Sequence, residues 1–470
     1  MFARIAVFAA KTLVGCVHFI FTSQLVVGEE INQVAGDLIV LNTNGAWSWY
    51  MDERVILDVA AGKLLASSVA DASGTDGPNR NGDIDVISYD LNTRQATHFV
   101  LHESLDADDH NAAALVVRPD GRYLAVYTRH NADKTIHFRV STNPHDASSW
   151  GPHQTFDFNT TPGSDFNVTY SNLFYLSAED RTYNFVRANN RSPNMMLSNN
   201  GGSSWTYGGK LLTSPVNVGY VNGYLKYASN GVDRIDFIAT EHHPRDFNNN
   251  IYHGYIQGGK MYRSDSSLVD NDIFDNSAPN QTSLTRVFNS DPEDGSQNYS
   301  RAWTTDLCLD SSRKPYALFT ARANDVPVNT SGYNDHRLFY ARYNGTQWEV
   351  HQVAKMGARL YASEQDYTGL AAIDPRDPNT IFVSTTFDPR DETELGVHEI
   401  FKGVTGDGGA TWMWAPITLD SEMDNLRPTV PVSDADHTAL VWMRGTYRSM
   451  FDYDLDIVAV VNSGPLRGRE

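Results

Sequence analysis

The sequence predicts an all-β fold, a seven-bladed β-propeller, on three observations. A short pattern occurs twice, as Ser198-Asn-Asn200-Gly-Gly202-Ser-Ser-Trp205 and as Thr405-Gly-Asp407-Gly-Gly409-Ala-Thr-Trp412. In each copy an amide or carboxylate ties back to its own turn, Gly takes the bend, and Trp staples the hairpin to its blade. Degenerate relatives lie at Tyr343-Asn-Gly-Thr-Gln-Trp348 and between Ser141 and Trp150. Composition agrees: 23 Tyr, 21 Phe and 9 Trp, with no long Ala/Leu/Glu/Lys runs, favour strands over helices. Turn signals then divide the chain into about seven units of about 60 residues, each long enough for four strands. Six or eight blades remain compatible with that spacing.

Each unit contains a recognisable hairpin. The first carries Val55-Ile-Leu-Asp-Val59 and Asp85-Val-Ile-Ser-Tyr89. The second has Ala112-Ala-Ala-Leu-Val-Val117, a turn at Pro119-Asp-Gly121, and Tyr123-Leu-Ala-Val-Tyr127. The third pairs residues 168–176 with Thr182-Tyr-Asn-Phe-Val186 about Glu179-Asp180. The fourth pairs Tyr224-Leu-Lys-Tyr227 with Ile235-Asp-Phe-Ile-Ala239 about Asn230-Gly231. Residues 304–309 and Pro315-Tyr-Ala-Leu-Phe319 form the fifth, and Leu370-Ala-Ala-Ile373 and Thr380-Ile-Phe-Val383 the sixth. The last uses Thr429-Val-Pro-Val432 and Ala439-Leu-Val-Trp442. Such a repeat also suits a chain of 470 residues, which exceeds one ordinary core.

Residues 1–28 read as a secretory signal peptide. Arg4 and Lys11 precede an apolar stretch over 12–28, and Glu29-Glu30 follow. Leu13-Val-Gly-Cys16 resembles a lipoprotein cleavage box, but the residues after Cys16 stay apolar, so plain secretion, extracellular or periplasmic, is expected. Residues 29–470 then make up the propeller, expected as a monomer, with Cys308 as its one cysteine and no internal disulfide. No later segment approaches the ~18 apolar residues of a membrane span. The net charge of −20 argues against a nucleic-acid partner, yet an acidic surface can hold a local basic pocket for an anionic ligand.

A propeller does not specify a reaction, so function must come from side chains gathered at one end of the channel. His110 and His130 are both about ten residues from the Asp120 turn, and antiparallel pairing places them opposite each other. With Asp108, Asp109 and Arg129 beside them they suggest an acid/base centre; the blander reading is two loop histidines among 15. In the third unit Tyr170 falls at the same end, and Arg187 and Arg191 lie on or just beyond the returning strand. Tyr175 lies deeper unless a bulge moves it. Tyr224 and the pair His242-His243 of the fourth unit approach the same rim.

Several segments carry a resemblance. The two Trp-ended patterns resemble the Asp-box hairpin turn of β-propellers. His110-Asn-Ala-Ala-Ala-Leu115, Tyr170-Ser-Asn-Leu173, Asn184-Phe-Val-Arg187 and His243-Pro-Arg-Asp246 resemble the propeller polysaccharide lyases that degrade ulvan, of families 24 and 25, which share the BNR/Asp-box repeat. The resemblance covers the chain from about residue 35 onward. It implies a secreted lyase with an anionic sulfated polysaccharide, ulvan, as substrate, and His and Tyr as acid/base groups beside an Arg that neutralises the uronate carboxylate. Carried over, these are His110, His130, either Tyr170 or Tyr175, and either Arg187 or Arg191, with Tyr224 as a further substrate contact. Tyr170 with Arg187 fits the hairpin geometry, and Tyr175 with Arg191 fits the family spacing. In the implied β-elimination, a neutral His110 or a deprotonated Tyr takes the proton α to the carboxylate, and His130 orients or shares that role.

No cofactor is expected for catalysis. A structural zinc or calcium is consistent with the related lyases. His243 and Cys308 are its candidate ligands from a loose set that includes His242, His253 and His336. Unrelated, scattered side chains are the simpler reading of that set. Two rival functions stand beside the lyase. A sialidase-like hydrolase would need paired carboxylates or a Tyr/Glu nucleophile with an arginine triad, and a non-catalytic carbohydrate-binding propeller would need no such cluster.

Overall fold

The computed structural model describes residues 31–462 apart from 50, 53, 162–165, 215–218, 220, 291–298, 324–334, 435 and 436. The signal-peptide reading lies outside the described residues. Seven antiparallel sheets of four or more strands follow one another along the chain, which is the predicted seven-bladed propeller. Their innermost strands are Val55–Asp58, Ala114–Val117, Thr169–Leu176, Leu225–Ser229, Ser300–Leu309, Ala371–Ile373 and Asp424–Thr429 for blades 1 to 7. The first six coincide with the strands read from sequence. Blade 7 differs: its inner strand ends at Thr429, opposite Val441, instead of beginning there. Beyond that point Pro431 has no N–H for the ladder, and Pro428 is tolerated because the register shifts between Leu426 and Thr429. Blade 7 is completed by Leu38–Asn42 from the other end of the chain, which pairs with Asp452–Asn462 and so closes the ring. Among the described residues no helix is long and apolar enough to cross a membrane.

The box turns are built as their sequences imply. Ser198 Oγ accepts from Gly202 N at 2.8 Å, and Asn200 Oδ1 accepts from Ser204 N at 3.0 Å. In the second copy Thr405 Oγ1 accepts from Gly409 N at 2.9 Å and Asp407 Oδ1 from Thr411 N at 2.9 Å. Gly202 and Gly409 have φ of 83° and 101°, conformations that a Cβ disfavours. Both full boxes and both degenerate ones join the third and fourth strands of their blades.

The tryptophans correct one expectation. Each staples its blade to the preceding blade, not to its own hairpin alone. Trp205 of blade 3 meets Phe138 of blade 2 edge-on, with ring centroids 6.4 Å apart. Trp412 of blade 6 meets Tyr340 of blade 5 at 5.2 Å. Trp348 of blade 5 packs on His253 of blade 4 at 5.1 Å, and Trp150 of blade 2 on Phe99 of blade 1 at 6.3 Å. The hydrophobic cores accordingly lie between blades. One joins Leu124, Val126 and Phe138 of blade 2 to Leu173, Val186 and Met196 of blade 3. Trp47, Trp49 and Met51, ahead of blade 1, are buried in the central cluster.

Candidate active site

The register that pairs Val117 with Tyr123 and Ala114 with Val126 brings His110 opposite His130, as the hairpin predicts. Asp108 caps a single 3-10 turn, Asp109–Asn111, by accepting from His110 N at 3.0 Å. Asn111 Oδ1 accepts from His130 N at 2.7 Å, which ties the two arms of the hairpin together. The imidazoles stack with centroids 3.9 Å apart and an interplanar angle of 18°.

One carboxylate bridges the pair. Asp108 Oδ1 lies 2.6 Å from His110 Nδ1, and Oδ2 lies 2.7 Å from His130 Nδ1. An ionised carboxylate only accepts, so both Nδ1 atoms carry hydrogen. Asp109 Oδ1 is a further 2.9 Å contact of His110 Nδ1. Burial alone would push His110 down, but the two carboxylates outweigh it and lift its pKa to about 9. His130 goes the other way, to about 4, through burial first and then the His110 cation against its face. The neutral member is therefore His130, not His110 as expected from sequence. Both aspartates, despite burial, are held below the usual carboxylate range: Asp108 by the histidines, Asp109 by Arg427 and His110.

With Nδ1 protonated, neutral His130 presents an Nε2 lone pair, and this faces Arg187 Nη2 at 3.4 Å. Arg187 ends the second strand of blade 3, directly opposite Thr169. Its guanidinium lies over the Tyr170 ring at 4.9 Å, and its Nη1 donates to Tyr224 Oη at 3.4 Å. Tyr170 sits in a bulge between Thr169 and Asn172 with φ of 65°, which turns its ring to within 5.7 Å of His110. A left-handed non-glycine residue recurs in the inner strands of blades 5 and 7, at Arg301 and Arg427, and just ahead of that of blade 6, at Leu370. Tyr224 meets His243 edge-on at 5.4 Å, and His243 Nε2 is 3.5 Å from Glu364. His110, His130, Tyr170, Arg187 and Tyr224 thus form one group, with His243 behind it.

The other candidates lie elsewhere. Tyr175 pairs with Thr182 beside the turn at the far end of its strand and donates to Asp180 Oδ1 at 2.9 Å. The bulge falls at Tyr170 and leaves Tyr175 about 17 Å along the strand. Arg191 packs over Phe166 at 5.0 Å. Cys308 is five residues beyond Trp303, the residue that touches His243, and so about 16 Å further along the inner strand of blade 5. His243 and Cys308 therefore share no metal site. Burial pushes the Cys308 thiol up, away from the thiolate that binds metals.

Sequence reasoning missed the support beneath the histidines. Arg427 Nη1 and Tyr447 Oη both donate to Asp109 Oδ2, at 2.9 Å and 2.8 Å. The Arg427 guanidinium is sandwiched, 3.3 Å from the Trp49 centroid and 4.5 Å from that of Tyr447. These residues lie more than 300 positions from Asp109, and no local pattern links them. Asp108 and Asp109 themselves stood beside His110 in the sequence.

A small cleft beside this group is lined by Tyr170, Asn172, Arg187, Pro193, Gly223 and Tyr224. A much larger cavity of about 920 Å³ fills the central channel toward the opposite end, where Asn230, Asp310 and Pro378 line it. Size would favour the channel. The paired histidines, beside Tyr170 and Arg187 of the small cleft, mark that end of the propeller instead.

Comparison with known proteins bears on this arrangement. A model of the BNR repeat-containing family matches residues 48–356. The chain belongs to that family. No curated protein matches it. Among solved structures, a family PL25 ulvan lyase bound to -[GlcA(1-4)Rha3S]- superposes with a TM-score of 0.63 over 91% of this chain and 98% of the other, at 13% identity. The polysaccharide lyase Uly1 gives 0.54 over 92% and 98%, at 11% identity. The fold of this BNR-repeat chain is thus that of the propeller polysaccharide lyases.

Proposed function

We propose that this protein is a secreted polysaccharide lyase that cleaves a uronate-containing sulfated polymer of the ulvan type by β-elimination. The observation that carries this reading is the neutral His130, anchored through Nδ1 by Asp108 and facing Arg187 through Nε2, with Tyr170 beside both. Arg187 receives the uronate carboxylate in a two-pronged ion pair and stabilises the charge that develops when the α-proton leaves. Drawing Arg187 onto the substrate also uncovers the Nε2 lone pair. His130 then takes the proton, the electron pair of the broken C–H bond forms the C4=C5 double bond, and the C4–O bond breaks. The Tyr170 hydroxyl protonates the departing oxygen. His110 stays protonated beneath His130, where its charge adds to burial in keeping the base neutral down to low pH. Tyr224 fixes the guanidinium through its hydroxyl. No step calls for a metal or an organic cofactor.

A hydrolase of the sialidase type fits less well, because the carboxylates of the group are committed. Asp108 and Asp109 are buried and bonded to the histidines, Arg427 and Tyr447. The deciding experiment follows ultraviolet absorbance while the purified protein acts on ulvan, with His130→Ala alongside. Elimination makes a conjugated unsaturated uronate that absorbs. Rising absorbance abolished in the variant supports the proposal, whereas loss of viscosity without absorbance would overturn it in favour of hydrolysis.

A further inference from the structure

A second histidine group lies on the flank of the propeller, where blade 1 meets blade 2, and the lyase reading makes no use of it. His102 ends the outermost strand of blade 1, opposite Ile84. His137 belongs to the third strand of blade 2, Thr135–Asn143, and His153 to the link between the strands Asp146–Trp150 and Gln154–Asp157. The three rings form a nearly equilateral triangle, with centroids 5.3 Å apart for His102 and His137, 5.1 Å for His102 and His153, and 5.1 Å for His137 and His153. One nitrogen from each lies within 4.8 Å of the others.

That triangle has the dimensions of a metal site. Three imidazoles bound tetrahedrally at a metal–nitrogen distance of about 2.05 Å have centroids about 5.2 Å apart and nitrogens about 3.3 Å apart. His137 Nδ1 and His153 Nε2 now stand 2.9 Å apart, sharing one hydrogen, and an ion in its place needs them to part by a few tenths of an ångström. Tyr127 holds the site from inside: its ring stacks on His137 at 5.3 Å and its hydroxyl lies 3.3 Å from His102 Nδ1. Burial first, and then neighbouring rings and Arg139, keep these imidazoles in the neutral form that binds metal. Asp133 acts on His137 in the opposite sense to Arg129, so charges of both signs surround the site.

We infer that His102, His137 and His153 form a binding site for one divalent transition-metal ion of the zinc class, which clips blade 1 to blade 2. His153 is exposed, so the fourth position opens to water. Three nitrogen donors with no carboxylate or thiolate favour zinc, copper or nickel over calcium or magnesium.

The test uses the full chain, stripped with a chelator and titrated with Co²⁺ and Zn²⁺. One Co²⁺ per chain with the intense visible bands of tetrahedral coordination is expected, along with a rise in Tm on adding Zn²⁺. His153 is exposed, so His153→Ala is expected to fold, and to weaken binding by about 100-fold or more. His102→Gln should do the same, while His130→Gln should leave binding intact. Asp108, His110 and His130 also cluster closely enough to hold an ion, so the last variant separates the two sites. Binding lost in His130→Gln but kept in His153→Ala would overturn the inference, as would no tetrahedral Co²⁺ spectrum at all.

Discussion

Asp108 sets the protonation of the whole cleft. It offers one oxygen to each histidine, 2.6 Å from His110 and 2.7 Å from His130, and so fixes which nitrogen of each ring is free. In Asp108→Asn one of those oxygens becomes an N–H₂ group facing an N–H. We expect kcat/KM to fall by about 100-fold or more. The pH profile is a separate check. His130 must be neutral to act as base, and its pKa of about 4 means activity is lost only as pH falls through about 4. Loss of the His110 proton above about pH 9 leaves His130 neutral, so the base itself sets no alkaline limb. The same raised value has a consequence for folding. The His110 ion pairs contribute fully below the ordinary histidine pKa of about 6.5, and that contribution disappears as pH rises through about 9. An acidic limb at the ordinary imidazole value of about 6.5 would contradict this assignment. Sequence spacing placed the two histidines together, but it could not say which would be charged. That depends on Asp109 being available as a second carboxylate, and Asp109 is in turn held by Arg427 and Tyr447 from blade 7.

At the scale of single elements, the box turns show where sequence is informative and where it stops. Hydroxyl, amide or carboxylate, and glycine act within a few residues of one another, so the turn could be read directly from Ser198 to Trp205. The partner of the tryptophan could not, since Phe138 belongs to another blade. Tyr170 illustrates the same limit. Its bulge uses a non-glycine residue at φ of 65°, and neither Gly nor Pro marks the place. Tyr170 and Arg187 were legible as a pair because hairpin register is local, and it was this register, not the family spacing of Tyr175 and Arg191, that the structure follows. An inter-blade role for the tryptophans makes a stability prediction. Trp205 is buried against blade 2, and Trp205→Ala should cost about 3 kcal/mol, visible as a lower denaturant midpoint. Ser198→Ala removes the acceptor for Gly202 N and the donor to Asn200 Oδ1 within the turn and should cost about 1 kcal/mol. Equal effects from the two would mean that the turn, not the contact between blades, carries the stability.

For the molecule as a whole, seven blades were legible because the hairpin recurs and each copy repeats the evidence of the last. How the ring closes was not, because Leu38–Asn42 is separated from its partner strand by almost the whole chain. That strand covers the outer edge of Asp452–Asn462, with Leu38 opposite Val460 and Ile39 opposite Ala459. It also ties blade 7, which carries Arg427 and Tyr447, into the ring, and these two residues hold Asp109 under His110. Removing residues 31–42 should therefore act twice. The ladder bonds and the apolar contacts of Leu41 are lost, at a cost of roughly 3–5 kcal/mol for several bonds of about 1 kcal/mol each. The uncovered edge of blade 7 becomes a template for strand pairing, so the truncated protein should self-associate with increasing concentration. Light scattering and thermal unfolding report the two effects, and a peptide of residues 36–44 added in trans should reverse both by strand addition. A truncated chain that stays monomeric with an unchanged Tm would mean that the interfaces between blades hold the ring closed without the exchanged strand.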